Sequence, residues 1–406
     1  MVTKPKKVFY VWDYVEWGGA QIYFFGLIKK IREKAEVSVI LPRNSDQQLL
    51  QFIENLGVSC EFLDTQTDAG RAENLRRKLQ KHWKKFKSER SVLRFLKTRD
   101  LGKSVIHIEF APWQSLFSLV RLCLWRQKVF ITMHNSLPRV PPWRFFLWKL
   151  KFWIITRFDN FHIFASNQDA KESLRPLVND NFFKKIRVTY TNVNPGEIDR
   201  ALEMPLEREN LCRRFNIPKD KFLVFCVGQF IDRKGRWTFL EAAKKVFVED
   251  RDFAFVWISN SKPTETDLEK ARNHGLGENF IFITSDQVGR EHIDLFKLMR
   301  LADLFALVSF QEGLPISLLE AMALGLPSIS TNVNAIPEAI RHLETGWLIE
   351  PGDALGLARA FRELKSDPAL RKTLGSKGRE LVLEKFDERV VAQIALESYQ
   401  RAFEGE

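Results

Sequence analysis

Two glutamates eight positions apart, Glu312 and Glu320, sit in the stretch whose residue types could do the most chemistry, LFALVSFQEGLPISLLEAMALGLPSISTN (Leu304–Asn332). Carboxylates accept hydrogen bonds from neighbouring sugar hydroxyls. Between them, the amides of Ile316 and Ser317 follow Pro315 at the expected start of a helix. Free amides there, with the positive end of the helix dipole, make a seat for a phosphate. A loop and the first helical turns put the two carboxylates roughly 10 Å apart at about 1.5 Å per helical residue, the span of a sugar, a diphosphate and a ribose. The bland alternative for such a pair is a surface-loop glutamate and a solvated helix glutamate. A second candidate is the cation pair Arg233 and Lys234 in FCVGQFIDRKGRW. Lysine acts on a phosphate as a point charge and arginine as a two-pronged donor; otherwise the two are merely exposed charge.

Three weaker signals lie elsewhere. Gly18 and Gly19, in YVEWGGAQ, allow close approach of a phosphate or sugar at a strand-to-helix turn. They do not form a G-x-G-x-x-G fingerprint, so dinucleotide binding gains no support. His134 ends the apolar run VFITM, at a strand tip of the kind that faces ligands, although a lone histidine is more often structural. His107 and Glu109 form H-x-E without the P-C-x-x-C that zinc deaminases require, so they read as strand-end residues.

These groups need a scaffold to hold them. Leu304 to Val308 reads as a strand, Pro315 to Leu324 as a helix closed by Gly325, and Pro327 to Ser330 as a second strand. Strand, helix, strand is the parallel α/β unit, which binds ligands at the carboxyl ends of its strands. The same alternation recurs from Lys7 to Thr191 and from Pro205 onward, with Pro195 and Gly196 marking a linker. The expected domains are 1–195, 196–386, and a last helix within 387–406 that crosses back onto the first.

Composition narrows the class of protein. Apolar residues make up 45% and charged residues 28%, as in soluble globular chains. Even Val105 to Trp125 is broken by His107, Glu109, Gln114 and Arg121, so no membrane span is expected, and MVTKPKKVFYVWDY lacks a signal-peptide core. Cytoplasmic residence is expected. The four cysteines are scattered, which favours reduced thiols over a zinc site. The net charge of +12 is uneven: Arg71 to Asp100 holds twelve Lys or Arg against three acids. Within it Leu75, Leu79, Trp83 and Phe86 fall at near-helical spacing, and PPWRFFLWKLKFWIITRF (141–158) interleaves aromatics with Arg and Lys all round the wheel. Each reads either as a helix packed on the domain or as one resting on an anionic membrane.

EGLPISLLEAMALGLP resembles the E-x7-E signature of the family 4 retaining glycosyltransferases, and the likeness extends more faintly over nearly the whole chain. It implies a GT-B architecture: two Rossmann-like parallel-sheet α/β domains facing across a cleft, the first binding an acceptor and the second a nucleotide-sugar donor. By the same resemblance Glu312 grips the sugar ring, Glu320 the ribose, and Lys234 the diphosphate. Gly313, Leu314, Pro315, Ile316 and Ser317 line the donor, and Val288 in SDQVG lies where the base is held. His134 stands beside the transferred sugar, and Gly18–Gly19 form the first glycine loop.

Two positions depart from the family pattern. Gln229 stands where an arginine is usual, leaving Arg233 to substitute, and Val193 replaces a glycine at the domain junction. Without a D-x-D motif, neither a metal nor another cofactor is expected beyond the donor itself. The expected partners are a nucleotide sugar, a sugar, lipid-linked or polysaccharide acceptor, and an anionic membrane surface, with no nucleic acid. The rival readings are a non-catalytic basic binder of membrane or nucleic acid, and a GT-B enzyme of other chemistry such as an epimerase or phosphorylase.

Overall fold

In the computed structural model, which describes residues 5–12, 19–63, 75–289 and 291–404, the apolar runs become two parallel sheets. They belong to two units, residues 1–190 with 389–406, and residues 191–388. The first unit holds β1 (Lys7–Val11), β2 (Glu36–Pro42), β3 (Ser59–Leu63), β4 (Ser104–Ile108), β5 (Lys128–Met133), β6 (Phe161–Ala165) and β7 (Arg187–Val188). Their order is β3-β2-β1-β4-β5-β6-β7, all parallel.

Near-continuous apolar strands are what a sheet covered on both faces requires. β1 shows this residue by residue. Phe9 and Val11 enter one core with Leu96, Leu119, Trp148 and Phe152, while Val8 and Tyr10 enter the other with Phe24, Leu49, Val391 and Tyr399. Helices Leu75–Lys97, Pro112–Leu124 and Pro142–Ile155 therefore cover one face of this sheet. Helices Gly19–Ile31, Gln47–Asn55 and Glu388–Glu404 cover the other.

The second unit repeats the plan with β8 (Phe222–Val227), β9 (Phe253–Ser259), β10 (Phe280–Thr284), β11 (Leu304–Leu307), β12 (Ser328–Thr331) and β13 (Trp347–Ile349). Their order is β10-β9-β8-β11-β12-β13, again parallel. Strand order reverses between β8 and β11, and crevices for ligands open beyond the carboxyl ends of strands at such a reversal.

Several local expectations are refined. The helix in the central unit spans Ile316–Ala323, with Pro315 as an extended N-cap (φ −68°, ψ 123°) in place of a first-turn residue. Gly325 takes the left-handed conformation (φ +81°) expected after its end. In the basic helix Leu75–Lys97 the core contact is made further along, by Val92, Leu93 and Leu96; Trp83 and Phe86 are exposed. The side chains of Leu75 and Leu79 lie outside what the structure describes. The aromatic helix Pro142–Ile155 buries Trp148, Phe152 and Ile155 and exposes Trp143, Phe146, Leu147, Leu150 and Trp153.

Val193 is buried, donates to the Phe386 carbonyl and accepts from the Glu388 amide, both at 2.9 Å. It forms an isolated parallel bridge with Asp387, an extended pairing that a β-branched residue suits well. All four cysteines are free thiols. Among the described residues no helix is long and apolar enough to cross a membrane.

Candidate active site

The loops after β8 and β11 bring the sequence candidates of the second unit together. Beyond β8 the chain passes Gly228 and the exposed Gln229 into a short 3-10 turn, Asp232–Lys234, and then Gly235 at φ +72°. A Cβ at Gly235 would lie 1.9 Å from the Val308 carbonyl oxygen, so only glycine lets the two loops approach so closely. The contact is fastened from both sides. The Phe310 amide donates to the Arg233 carbonyl (2.8 Å), and the Arg233 guanidinium donates to the Gln311 carbonyl (3.0 Å).

With the loops joined, Lys234 Nζ lies 2.6 Å and Arg233 Nη1 3.4 Å from the same oxygen of Glu312, Oε1. Glu312 is only 8% exposed. Its amide donates to the Asn334 side chain at 3.3 Å, which steadies the loop from the β12 side. Two cations on one carboxylate leave one positive charge in excess, and the start of helix Ile316–Ala323 adds to it. The first helical bond there runs from the Leu319 amide to the Pro315 carbonyl (3.2 Å), so the amides of Ile316 and Ser317 precede the intrahelical ladder. The Ser317 hydroxyl donates to the Val227 carbonyl (2.9 Å), tying this helix start to the end of β8. Gly313 and Leu314 complete the loop, with Leu314 buried. The arrangement sets two cations and the first amides of a helix beside a buried carboxylate, a combination whose chemistry suits an anion.

Glu320, on the second turn, is 3% exposed. Its Oε1 lies 3.0 Å from His292 Nε2, and His292 Nδ1 lies 3.4 Å from Glu197 Oε2. Burial disfavours a charged imidazole, but Glu320 and Glu197 together raise the His292 pKa to about 10, so the ring is protonated at neutral pH. Neither His292 nor Glu197 was singled out from sequence; they stand 28 and 123 positions before Glu320 in unrelated motifs, and no spacing linked them. Val288 is a core residue. Its side chain packs with Ile283 and Leu298, and its carbonyl accepts from Arg214 (3.1 Å) at the end of a short helix, Ser285–Val288.

In the first unit Glu109 and His134 follow the adjacent strands β4 and β5, and their side chains meet at 3.2 Å (Nε2 to Oε2). Tyr23 and Phe24 stand edge-on to the His134 ring, at 5.2 and 5.8 Å between centroids. His107, two residues before Glu109, is structural. Its Nδ1 pairs with the Tyr399 hydroxyl at 2.6 Å and its Nε2 with the Thr132 hydroxyl at 2.8 Å, fixing the last helix in this unit. Burial, with a smaller push from His134, lowers its pKa to about 3 and keeps it neutral. Gly19 opens helix Gly19–Ile31; Gly18 lies outside the described residues.

Two units, each built on one parallel sheet covered by helices, give this chain the GT-B fold of α/β proteins. Residues 207–381, which lie within the second unit, match the family model described as glycosyl transferases group 1. The chain is 29% identical over 197 residues to N-acetyl-alpha-D-glucosaminyl L-malate synthase of Bacillus anthracis, covering 48% of this chain and 50% of that protein. It is 24% identical over 237 residues to the capsular polysaccharide biosynthesis glycosyltransferase CapM of Staphylococcus aureus, covering 57% and 60% respectively. The chain thus spans between half and three fifths of these curated relatives. The crystal structure of Anabaena Alr3699/HepE in complex with UDP shares the fold, with a TM-score of 0.75 at 16% identity, covering 96% of this chain and 98% of that one.

Proposed function

We propose that this protein is a retaining glycosyltransferase that moves a sugar from a nucleoside diphosphate sugar to a hydroxyl of a lipid-linked or polysaccharide acceptor. The observation that carries this reading is the convergence of Lys234 and Arg233 on buried Glu312, beside the unused amides of Ile316 and Ser317. In the proposed reaction the cations and amides hold the diphosphate and take up the charge of the leaving group. The bond from the anomeric carbon to the β-phosphate oxygen breaks, and the acceptor oxygen forms the new bond on the same face. The acceptor proton passes to a β-phosphate oxygen, so no protein nucleophile is required.

Glu312 accepts from the sugar hydroxyls and Glu320 from the ribose diol. Gly313, Leu314 and Pro315 shape the donor loop, and the Val288 segment borders the base. On the first unit, His134 with Glu109 and the Gly18–Gly19 loop present the acceptor side. Arg233 serves in place of the arginine absent at Gln229, since its guanidinium already shares the Glu312 carboxylate with Lys234. The positive charge supplied by these groups suffices without a metal ion, so turnover is expected to survive chelation by EDTA.

The UDP in the solved Anabaena neighbour and the capsular polysaccharide role of the CapM relative support this choice of donor and acceptor class. Incubation with a panel of UDP-, GDP- and ADP-sugars tests it. Donor turnover that disappears in Lys234→Ala and Glu312→Ala, with the fold intact, is the expected result. Salt-sensitive RNA binding without turnover of any donor would instead favour a basic binding protein.

An anionic bilayer is the proposed platform for the acceptor. Helices Leu75–Lys97, Pro112–Leu124 and Pro142–Ile155 form one layer of the first unit, and their outer faces leave Trp83, Phe86, Phe117, Trp143, Phe146 and Trp153 exposed. Cations accompany the rings: Lys87 Nζ lies 4.9 Å above Trp83 and Arg157 4.1 Å above Trp153. Aromatic bodies with cationic neighbours suit the headgroup region, where apolar surface and positive charge are both satisfied.

A further inference from the structure

Glu320 is buried and ionisable, and its environment decides whether it can serve a nucleotide. A carboxylate taken out of water either gains a cation or takes up a proton. Protonated, it would hold one fixed donor; ionised, it offers only acceptor positions. In this chain the compensating cation comes from outside the E-x7-E segment. His292 opens helix His292–Met299, and its ring is held at three points: Nε2 at 3.0 Å from Glu320, Nδ1 at 3.4 Å from Glu197, and its centroid 4.6 Å from that of the Phe296 ring. Glu197 is itself fixed in the first turn of helix Pro195–Glu203, where its amide donates to the N-cap side chain of Asn194 (3.3 Å). Arg200 stands 4.0 Å from the other oxygen of Glu197. All of these groups belong to the second unit.

We propose that His292 is a positioning residue for nucleotide binding. Bridged to Glu197, it occupies one oxygen of Glu320 and turns the other toward the ribose hydroxyls, so that the site selects ribonucleotides over deoxyribonucleotides. The inference rests on the donor reading given above, because it assigns Glu320 to the ribose. Burial opposes the cationic ring, but the two carboxylates hold it charged across the physiological range. A neutral amide in its place can still fill space, yet it carries no charge to set against the two carboxylates. The bridge also explains why a histidine is used here. A longer, freely rotating ammonium would neutralise the same charge without fixing the direction of the remaining lone pairs, whereas a planar ring held at both nitrogens fixes it.

The test uses the full chain and calorimetric titration with UDP, GDP, ADP and their 2′-deoxy counterparts. Wild type is expected to bind the ribonucleotide about tenfold more tightly than its deoxy form, the equivalent of one well-placed hydrogen bond. His292→Gln is expected to weaken ribonucleotide binding about tenfold and to bring the ribose-to-deoxyribose ratio close to one, with deoxynucleotide binding little changed. Glu197→Gln, which releases the ring at its far side, is expected to lower the ratio to an intermediate value. It also serves should His292→Gln not fold. A merely structural role would weaken both sugars alike. Unchanged discrimination in folded His292→Gln or Glu197→Gln overturns the proposal, while loss of discrimination in Glu320→Gln alone leaves the donor reading standing. If Glu320→Gln also discriminates as wild type does, or if wild type binds none of these nucleotides, the donor reading itself fails and the role of His292 with it.

Discussion

Lys234 is mostly buried, its stem lies beside Gly228, and its ammonium is already paired with Glu312, so its removal acts twice. It removes a cation from beside the Ile316 and Ser317 amides and leaves Glu312 with the more exposed Arg233 as its remaining partner. Lys234→Ala is expected to lower turnover by about 10²–10³-fold, the scale of losing one preorganised charge-stabilising group. Its far-ultraviolet dichroism should stay that of wild type; an unaltered turnover number would remove the lysine from the mechanism. His107 makes the opposite kind of prediction. Its folded pKa near 3 lies below the ordinary histidine value near 6.5, so the unfolded chain binds the extra proton between those limits. The stability that neutral His107 brings is complete above about pH 6.5 and is lost as pH falls toward 3. His162, likewise buried and lowered to about 3, adds to the same trend. Melting temperatures measured from pH 7 down to pH 4 should fall, and more gently in His107→Gln; equal slopes would show that His107 is not the cause. That Glu312, Lys234 and Arg233 would meet was readable because short motifs placed them at neighbouring strand ends. His292 and Glu197, and the pairing of Glu109 with His134, became visible only once the fold had joined distant segments.

The strand–loop–helix units carry the site because two loops are locked at a single glycine. Gly235→Ala would force a Cβ onto the Val308 carbonyl at a backbone angle that side chains avoid, so the Arg233–Lys234 turn must move. A raised KM for the donor, with the sheet intact, is the expected consequence; wild-type donor affinity would show that the turn tolerates displacement. The element pattern itself was legible. Apolar runs bounded by polar loops marked strands to within a residue or two, since strands covered on both faces must be apolar throughout. Boundaries moved where capping decided them, as at Pro315, which precedes the helix it was expected to open. Helix faces were harder to read. In Leu75–Lys97 the spacing of Trp83 and Phe86 fitted either a face packed on the domain or one resting on a membrane; the sheet takes Val92, Leu93 and Leu96, further along the helix, and leaves both rings exposed. Val193 shows how a departure from family pattern is absorbed. Because its bridge to Asp387 is extended, no glycine is called for. Restoring one, Val193→Gly, should cost about 2–4 kcal/mol through lost burial and a looser unfolded chain. Denaturant titration would reveal it.

At the scale of the molecule, charge and exposed aromatic area gather on one helical layer of the first unit. Trp143 and Phe146, each 67% exposed, and Trp83 at 63% offer far more apolar surface than solubility favours. Flotation with mixed phosphatidylcholine and phosphatidylglycerol vesicles should show binding that weakens with salt and falls about tenfold in the double variant Trp143→Ala, Trp153→Ala. Turnover of a soluble acceptor should be unaffected by those changes. Equal binding to neutral vesicles, or none to anionic ones, would exclude the bilayer as partner. A different consequence follows from the route of the chain. Helix Glu388–Glu404 seats Val391, Ala395 and Tyr399 in a core otherwise built from residues before Thr191. During synthesis, the amino-terminal sheet therefore leaves the ribosome with that face covered only by helices Gly19–Ile31 and Gln47–Asn55 and waits while 198 further residues (191–388) are made. At about 5–20 residues per second the delay is roughly 10–40 s, during which Tyr10 and His107 lack their final partner and need a chaperone or a transient substitute.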